Sequence, residues 1–196
     1  MKAYKGFTRR LASIMGDGDK ENCYFKPGET KRVPESKTAQ KGFHCCEYIC
    51  DCFYYYDYNG INRFFEVEAA GDIDEDANNR IASTEITLTR ELGQLDILYA
   101  IMEYIIRHPD RKGWERNCTG ATVSRDFATN YEPYGVAVAR GTDPEVSGAA
   151  GTWVGVIREE TDENGNTKIK EAHVAGVTKQ QAGKKLKYLD GGWKVV

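Results

Sequence analysis

The residues of this chain that are best suited to chemistry are concentrated in one stretch, residues 41–57 (KGFHCCEYICDCFYYYD). It contains four of the six cysteines, one of the three histidines and four of the twelve tyrosines. Thiolates and imidazoles bind zinc, and a thiol with a lowered pKa can do redox or nucleophilic chemistry. The same residue types also pack well in a protein interior. The spacing within the stretch distinguishes between these roles.

The spacing argues against zinc. A structural zinc site takes four ligands, usually from paired Cys-x₂₋₄-Cys units on separate turns. The candidate ligands here lie one, one, four and two positions apart: His44, Cys45, Cys46, Cys50 and Cys52. Adjacent residues point to opposite sides of a helix or strand, so one ion could not collect four of them. Cys23 and Cys118 are each solitary. We therefore expect no metal.

A helical spacing of three and four predicts instead that the stretch contributes to the core. It predicts a helix over residues 47–57 with an apolar face formed by Cys45, Tyr48, Ile49, Cys52, Phe53 and Tyr56. Reduced cysteine packs as a small hydrophobic side chain. Cys46 and Cys50 lie on another flank of this helix, where we expect partial exposure. A redox role would need a lowered thiol pKa, and nearby only Lys41 and His44 could lower it.

The tyrosines of the stretch indicate a binding surface. Residues 54–56 and Tyr58 are tyrosines, and they cannot all be buried on one helical face. Exposed tyrosines are common anchors of protein interfaces. We therefore predict that Tyr54, Tyr55 and Tyr58 bind a protein partner.

An enzymatic alternative comes from three short motifs, YKG at 4–6, GFH at 42–44 and EVE at 66–68. Their order is similar to that of mono-ADP-ribosyltransferase-like enzymes. There a carboxylate can stabilise the oxocarbenium-like ribose, and carboxylates two residues apart lie on one strand face. NAD is then the cofactor, and Glu66, Glu68 and His44 are the catalytic residues. Against this, the first strand carries no Arg or His, and GFH replaces the expected Ser-Thr-Ser type. Otherwise the chain needs no cofactor.

The composition and net charge of the chain limit the class of protein in which these residues occur. Hydrophobic residues make up 40% and charged residues 29% of the 196 residues, as in ordinary globular proteins. The net charge of −3 does not favour binding to nucleic acid or to an anionic membrane. No apolar run approaches the roughly 18 residues that span a bilayer, and the N-terminus lacks the apolar stretch of a signal peptide. We therefore expect a cytoplasmic protein with reduced cysteines.

Hydrophobic periodicity predicts the elements that position these residues. Alternation over residues 63–70 and 81–88 predicts two half-buried strands, and the acidic residues 72–79 between them predict an exposed loop. Apolar residues at helical spacing predict a helix over 93–107, which ends before Pro109. Turn motifs predict hairpins that join 153–159 to 168–177 and 185–189 to 193–196.

The segment over residues 117–152 is rich in small residues. Ala128, Ala139 and Ala150 lie eleven residues apart, and Asn117 extends the spacing backwards. A short fixed period predicts stacked rungs or a narrow meander, while an irregular Gly/Ala-rich loop is the alternative. An exposed edge of such a sheet could pair between copies to form a homo-oligomer.

These elements together predict an α+β fold. It has antiparallel sheet elements, two main helices (47–57 and 93–107) and a Gly/Ala-rich repeat-like segment. We expect an N-terminal region over residues 1–116 and a C-terminal region over 117–196, packed as one domain.

Four segments carry a family resemblance: the opening MKAYKGF, the stretch KGFHCCEYICDCFYYY, the pair IASTEITLTRELGQLDILYAIMEYI, and a small-residue repeat that leads to GAAGTWVGVIRE and a GGWKVV ending. In this order they resemble a family of small uncharacterised proteins from bacteriophages and prophages. The family usually has Asn-Pro-Leu where residues 47–49 are Glu-Tyr-Ile. The resemblance implies a phage-encoded accessory protein that acts in the bacterial host cytoplasm. It further implies binding to a host or phage macromolecule, and inhibition of host defence.

Overall fold

The computed structural model describes residues 1–14, 24–76 and 80–196. These residues form two compact units, Met1–Gly93 and Gln94–Val196. In the described residues there are twelve strands and two helices, and one of the helices is only four residues long. The predicted α+β fold with two main helices is therefore wrong, because the chain is mostly β. The predicted boundary between residues 116 and 117 lies inside the second unit. That the two predicted regions pack as one domain stays a prediction.

The first unit is built around a small barrel. Its elements are β1 (Lys2–Phe7), β2 (Thr30–Arg32), β3 (Phe43–Cys46), α1 (Ile49–Cys52), β4 (Arg63–Glu75) and β5 (Arg80–Glu91). Because β1 and β5 each pair with both β3 and β4, these four strands close into an antiparallel ring. Strand β2 extends the sheet on β5. The strands predicted over 63–70 and 81–88 are confirmed as parts of β4 and β5.

Strand alternation fills the barrel interior with apolar side chains. Phe65 and Val67 of β4 lie in this core, whereas Glu66 and Glu68 between and beyond them do not. The ring of Phe7 lies 5.0 Å from that of Phe25 and 5.7 Å, edge-on, from that of Phe65. Burial of these aromatic side chains, with the aliphatic residues around them, favours closure of the barrel.

The acidic segment between β4 and β5 differs from the prediction. Strand β4 continues to Glu75, and residues Ile73–Glu75 pair with Ser83–Ile81 of β5. The predicted loop over 72–79 is therefore wrong for 72–75, because cross-strand pairing outweighs the poor strand propensity of acidic residues. Residues 77–79 of the predicted loop lie outside the described residues.

The helix predicted over 47–57 is also wrong. Cys45 and Cys46 belong to β3, and α1 is a single turn that packs against β1 and β3. The chain then turns so that the rings of Phe53 and Tyr58 stack 5.2 Å apart. Residues five apart in a helix lie about 140° apart around its axis, so a continuous helix would prevent this stacking. Cys46 and Cys50, for which we expected partial exposure, are buried.

The second unit combines one helix with a larger sheet. Its elements are α2 (Gln94–Arg107), β6 (Arg116–Cys118), β7 (Ala121–Asn130), β8 (Val136–Gly148), β9 (Trp153–Thr161), β10 (Thr167–Gly176), β11 (Leu186–Leu189) and β12 (Gly192–Val195). The predicted helix over 93–107 and both predicted hairpins are confirmed. In the described part of the chain, neither helix is both long and apolar enough to cross a membrane.

The small-residue segment forms stacked parallel strands. Ala121 pairs with Val136, and Val136 pairs with Trp153, so successive rungs are 15 and 17 residues apart. Ala128 pairs with Val146, whereas Ala139 pairs with Val156, so the alanines are not equivalent. The eleven-residue spacing is therefore not the structural period, and the sheet of this unit contains parallel as well as antiparallel pairs.

The Asn130 side chain fixes one corner of these rungs. The Asn130 amide donates from Nδ2 to the Thr119 carbonyl at 3.0 Å, while its Oδ1 accepts from the Glu132 N–H at 3.0 Å. Asn130 is buried, and these bonds satisfy its polar atoms where the chain turns between β7 and β8. A local Asx turn thus allows two parallel strands to be joined by only a few residues.

Substitution of Gly155 tests the packing of α2 on this sheet. A Cβ at position 155 would lie 2.4 Å from Met102 Sδ and 3.5 Å from Leu98 Cδ1. We expect Gly155→Ala to lower the free energy of unfolding by about 1–3 kcal/mol, because overpacking displaces the helix. Urea denaturation measures this change. Gly192→Ala is the control, since nothing lies within 4 Å of its Cβ. Equal midpoints for the two variants would contradict this packing.

Candidate ligand-binding site

A cavity opens where β1 and β3 separate. In the described residues, these strands share one register pair, Tyr4 with Cys46. From there, β1 follows β4 as far as the pair of Phe7 with Arg63, and β3 follows β5 as far as the pair of Phe43 with Ser83. The cavity has a volume of about 370 Å³. The described residues that line it are residues 4–6, 39–42 and 44–46, with Cys52, Tyr55, Tyr56 and Arg80.

Lys5 occupies the gap between the two strands. It lies at an inward position of β1 between Ala3 and Phe7, and only 6% of it is exposed. Its Nζ donates to the His44 carbonyl at 2.7 Å and lies 5.5 Å from the centre of the Phe7 ring. A side-chain ammonium thus replaces the backbone bond that a continuous β1–β3 ladder would make.

His44 is held neutral in the cavity wall. Burial, followed by the charge of Lys5 and then that of Arg80, lowers its pKa from 6.5, while backbone hydrogen bonds with Lys37 and Gly42 oppose this shift. Its Nε2 atom is buried and has no hydrogen-bond partner among the described residues. A protonated imidazole at this position would add a further positive charge to a desolvated wall that already carries two cations.

Two further cations at the cavity are oriented by acidic partners. Arg80 donates from Nε to Asp76 Oδ2 at 2.7 Å, and a side-chain hydrogen bond with Tyr55 further raises the pKa of its guanidinium. Lys41 forms an ion pair with Glu35. These contacts fix the positions of both cations, although they neutralise part of each charge.

An aromatic wall faces the strands. The Tyr56 hydroxyl accepts from the Ile14 N–H at 3.0 Å and lies 3.2 Å from Ser13 Oγ. Its ring packs so closely on β1 that a Cβ at Gly6 would lie 2.6 Å from Tyr56 Cδ2. Glycine at position 6 is therefore required for this close approach and not for an unusual backbone angle.

The cysteines at this site are structural thiols. Burial raises the pKa of Cys45 to about 12, and burial together with a hydrogen bond to Cys46 raises the pKa of Cys52 well above its usual range. Cys52 Sγ donates to the Tyr4 carbonyl at 3.3 Å. Protonated thiols are poor nucleophiles and poor metal ligands. Within residues 1–14, 24–76 and 80–196, no group of three or more His, Cys, Asp or Glu residues is placed to hold a metal ion. Cys23 lies outside these ranges.

The residues of the enzymatic alternative do not come together. His44 lines the cavity, whereas Glu66 forms ion pairs with Lys2 and Arg90, and Glu68 is exposed on β4. The strand of Glu68 lies two strands from that of His44, which places their backbones roughly 10 Å apart across the sheet. Along the strands, Glu68 lies level with Lys2, whereas His44 lies level with Gly6. These two levels are four residues apart on β1, or roughly 13 Å.

The three tyrosines of the predicted binding surface have different environments. Tyr54 is 70% exposed, Tyr55 lines the cavity, and Tyr58 is buried against Phe53 and Phe64. A second, smaller cavity of about 240 Å³ lies beside Tyr54 and shares Tyr55 and Arg80 with the first. The structure therefore brings Tyr55 and His44 to one cavity and places Tyr58 in the core.

Residues 1–100 match a family model described as Domain of unknown function (DUF7666). The chain belongs to this family. The match includes the whole first unit, so every described residue of the cavity lies within the family domain. The expectation of an uncharacterised family is thereby confirmed. No curated protein and no solved structure matches the chain.

Sequence reasoning did not identify Lys5, Gly6 or Arg80 as site residues. For Lys5 the sequence does contain a signal, because a lysine alternates with Ala3 and Phe7 on the inward face of a strand. A charged residue at an inward strand position indicates either a partner or a cavity. Arg80 gives no such signal, since its position depends on the β4–β5 pairing.

The pH dependence of stability tests the state of His44. Its folded-state pKa lies below the unfolded value of about 6.5, so between these values the unfolded chain binds more protons. The stability is therefore complete above about pH 6.5 and is lost as the pH falls through the folded-state pKa. We expect the free energy of unfolding of His44→Gln to fall less than that of the wild type between about pH 7.5 and about pH 5.5. The exposed His108→Gln is the control, and equal slopes for all three proteins would contradict a neutral His44.

Gly6→Ala tests the contact between β1 and the aromatic wall. The new Cβ would lie 2.6–2.8 Å from three atoms of Tyr56, including its Cβ, so the ring cannot simply rotate away. We expect a loss of about 1–3 kcal/mol in the free energy of unfolding. Combining the change with Tyr56→Ala should remove much of this additional loss, as a double-mutant cycle by urea denaturation measures. Strict additivity would show that the two residues do not touch.

Proposed function

We propose that the first unit is a binding module that holds a small molecule in the cavity between β1 and β3. The observation that carries this proposal is a cavity of about 370 Å³ whose polar groups are held in place by the surrounding residues. Small-molecule sites are typically concave, about 300–1,000 Å³ in volume, and largely apolar with a few placed polar groups. Here tyrosine rings, thiols and glycines form the apolar part of the lining, and Lys5, His44 and Arg80 are the placed polar groups.

Pre-organisation supports binding as the role of this cavity. Arg80 is held by Asp76, the Tyr56 hydroxyl by Ile14, and Lys5 by the His44 carbonyl. A site whose groups are already in place does not have to restrict them when a ligand arrives, which raises the affinity.

The chemistry of the lining residues favours binding over catalysis. The thiols of Cys45 and Cys52 stay protonated because their pKa values are raised. A nucleophile needs either a lowered pKa or an adjacent base, and the base closest in sequence, His44, has its Nε2 atom buried in the wall. Small-molecule binding without turnover is therefore the function that the site supports best.

The wider role stays a proposal drawn from the sequence. It is that of a phage-encoded accessory protein in the host cytoplasm, which binds a host or phage macromolecule and counters host defence. Tyr54 supports it, because it is a largely exposed tyrosine next to Tyr55 at the cavity. A protein bound at Tyr54 would lie close enough to respond to the occupant of the cavity.

A ligand screen with a blocking variant tests the proposed function. Metabolites of matched size are screened by thermal shift, and hits are quantified by calorimetry. Gln40 is exposed and lines the cavity, so Gln40→Trp should fill part of the space and weaken binding by at least about tenfold, or about 1.4 kcal/mol. Gln180→Trp is the matched control, because Gln180 is exposed in the second unit.

Two results would contradict the proposed function. One is a screen in which no compound raises the melting temperature of the wild type. The other is a ligand whose affinity is the same for the wild type and Gln40→Trp, which would place its site elsewhere.

A further inference from the structure

Building on the proposed function, we infer that the ligand carries an anionic oxygen group, a carboxylate or a phosphate, that binds at Lys5. This inference concerns the class of ligand, whereas the proposed function concerns only the presence of a small molecule in the cavity. The charges of the described residues, the burial of Lys5 and the composition of the walls carry it.

The first observation is the charge balance of the cavity. Lys5, Lys41 and Arg80 line it, and the described lining residues include no aspartate or glutamate. Lys41 is paired with Glu35, and Arg80 with Asp76, so two of the three positive charges have acidic partners outside the lining. Among the described residues, Lys5 has no carboxylate partner, and one positive charge is left over. A ligand with one anionic group balances it.

The second observation is the burial of that remaining charge. Only 6% of Lys5 is exposed, and its one hydrogen bond in the described structure goes to the neutral carbonyl of His44. An ammonium has three donors, so two can still serve a ligand. A desolvated cation without a counter-ion is costly, and an anion that reaches it recovers much of that loss. The attraction is also stronger than at an exposed lysine, because the surroundings screen it less.

The third observation concerns the potential in the wall. Besides burial, which is the largest cause, the charges of Lys5 and Arg80 lower the pKa of His44, as expected where positive potential extends through the cavity wall. The same potential that disfavours a proton on His44 favours a negative charge in the cavity. The two effects share one physical cause, and the second follows from the positions of the cations.

The rest of the lining indicates what the anionic group is attached to. The rings of Tyr55 and Tyr56 and the thiols of Cys45, Cys46 and Cys52 offer apolar and aromatic contacts for an organic body. The class is therefore an organic acid or phosphate monoester with a flat or apolar part.

Matched pairs of probes test this inference directly. Indole-3-acetate is compared with indole-3-acetamide, and adenosine 5′-monophosphate with adenosine, by calorimetry on the full chain. Within each pair the size is similar and only the anionic group changes. We expect the acid of at least one pair to bind at least about tenfold more tightly than its neutral partner. Its affinity should also fall with added salt. The pair that responds identifies the source of the anionic group as carboxylate or phosphate.

Variants of two lysines on β1 identify the anchor. Lys5→Met keeps most of the unbranched side chain and removes its charge, so it should abolish the preference for the acid. Lys2→Met is the control, because Lys2 is paired with Glu66 outside the cavity lining.

The outcomes separate the two proposals. If neutral probes or neutral compounds from the screen bind in the cavity as tightly as acids, the anionic class is wrong and the proposed function stands. If acids bind with equal affinity to Lys5→Met and the wild type, the anchor is wrong. If no compound binds at all, both proposals fail.

Discussion

The single register pair of Tyr4 with Cys46 is the constraint on which the first unit depends. This pair closes a four-stranded ring. No longer β1–β3 ladder forms in the described residues, because β1 stays paired with β4 and β3 stays paired with β5. The backbone N–H and C=O groups of β1 and β3 that face each other without pairing need other hydrogen-bond partners. The Lys5 ammonium supplies one for the His44 carbonyl, and the Tyr56 ring covers Gly6. The cavity is therefore a direct consequence of how this barrel closes.

Electrostatics then separates the cavity residues into two groups. Burial keeps the thiols of Cys45 and Cys52 protonated and His44 neutral, so these groups contribute shape and polarity without reactivity. Lys5 stays as the cation that no described carboxylate balances. In the second unit the comparable buried cation, Arg140, is paired with Glu159 through a 2.7 Å bond from Nε to Oε2. The contrast shows what a balanced buried cation looks like in this chain, and why the unbalanced one indicates a ligand.

The parts of this fold that were predicted correctly depend on short-range periodicity. Strands β4 and β5, helix α2 and the two C-terminal hairpins repeat apolar residues at the spacing of their own secondary structure. The failures depend on contacts between distant residues. Phe53 stacks on Tyr58 where the chain turns after the single turn of α1, and Ala121 pairs with Val136 across a turn that Asn130 fixes. For the candidate site, the sequence predicted His44 as a catalytic residue from the GFH motif and Tyr55 as a protein-binding residue from the tyrosine run. Both line the cavity, and their roles stay predictions. Arg80 reaches the cavity only through strand pairing, and the inward position of Lys5 becomes informative only with β1 as part of a closed barrel.

The central claim is that the closing gap of the barrel is an anion site, and anomalous diffraction from a bromide-soaked crystal tests it most directly. Bromide carries a single negative charge, and its anomalous signal locates it without any assumption about the natural ligand. The account predicts a bromide peak in the cavity in contact with Lys5 Nζ, and the loss of that peak in crystals of Lys5→Met. Bromide bound at exposed lysines and arginines while the cavity stays without a peak would contradict the account.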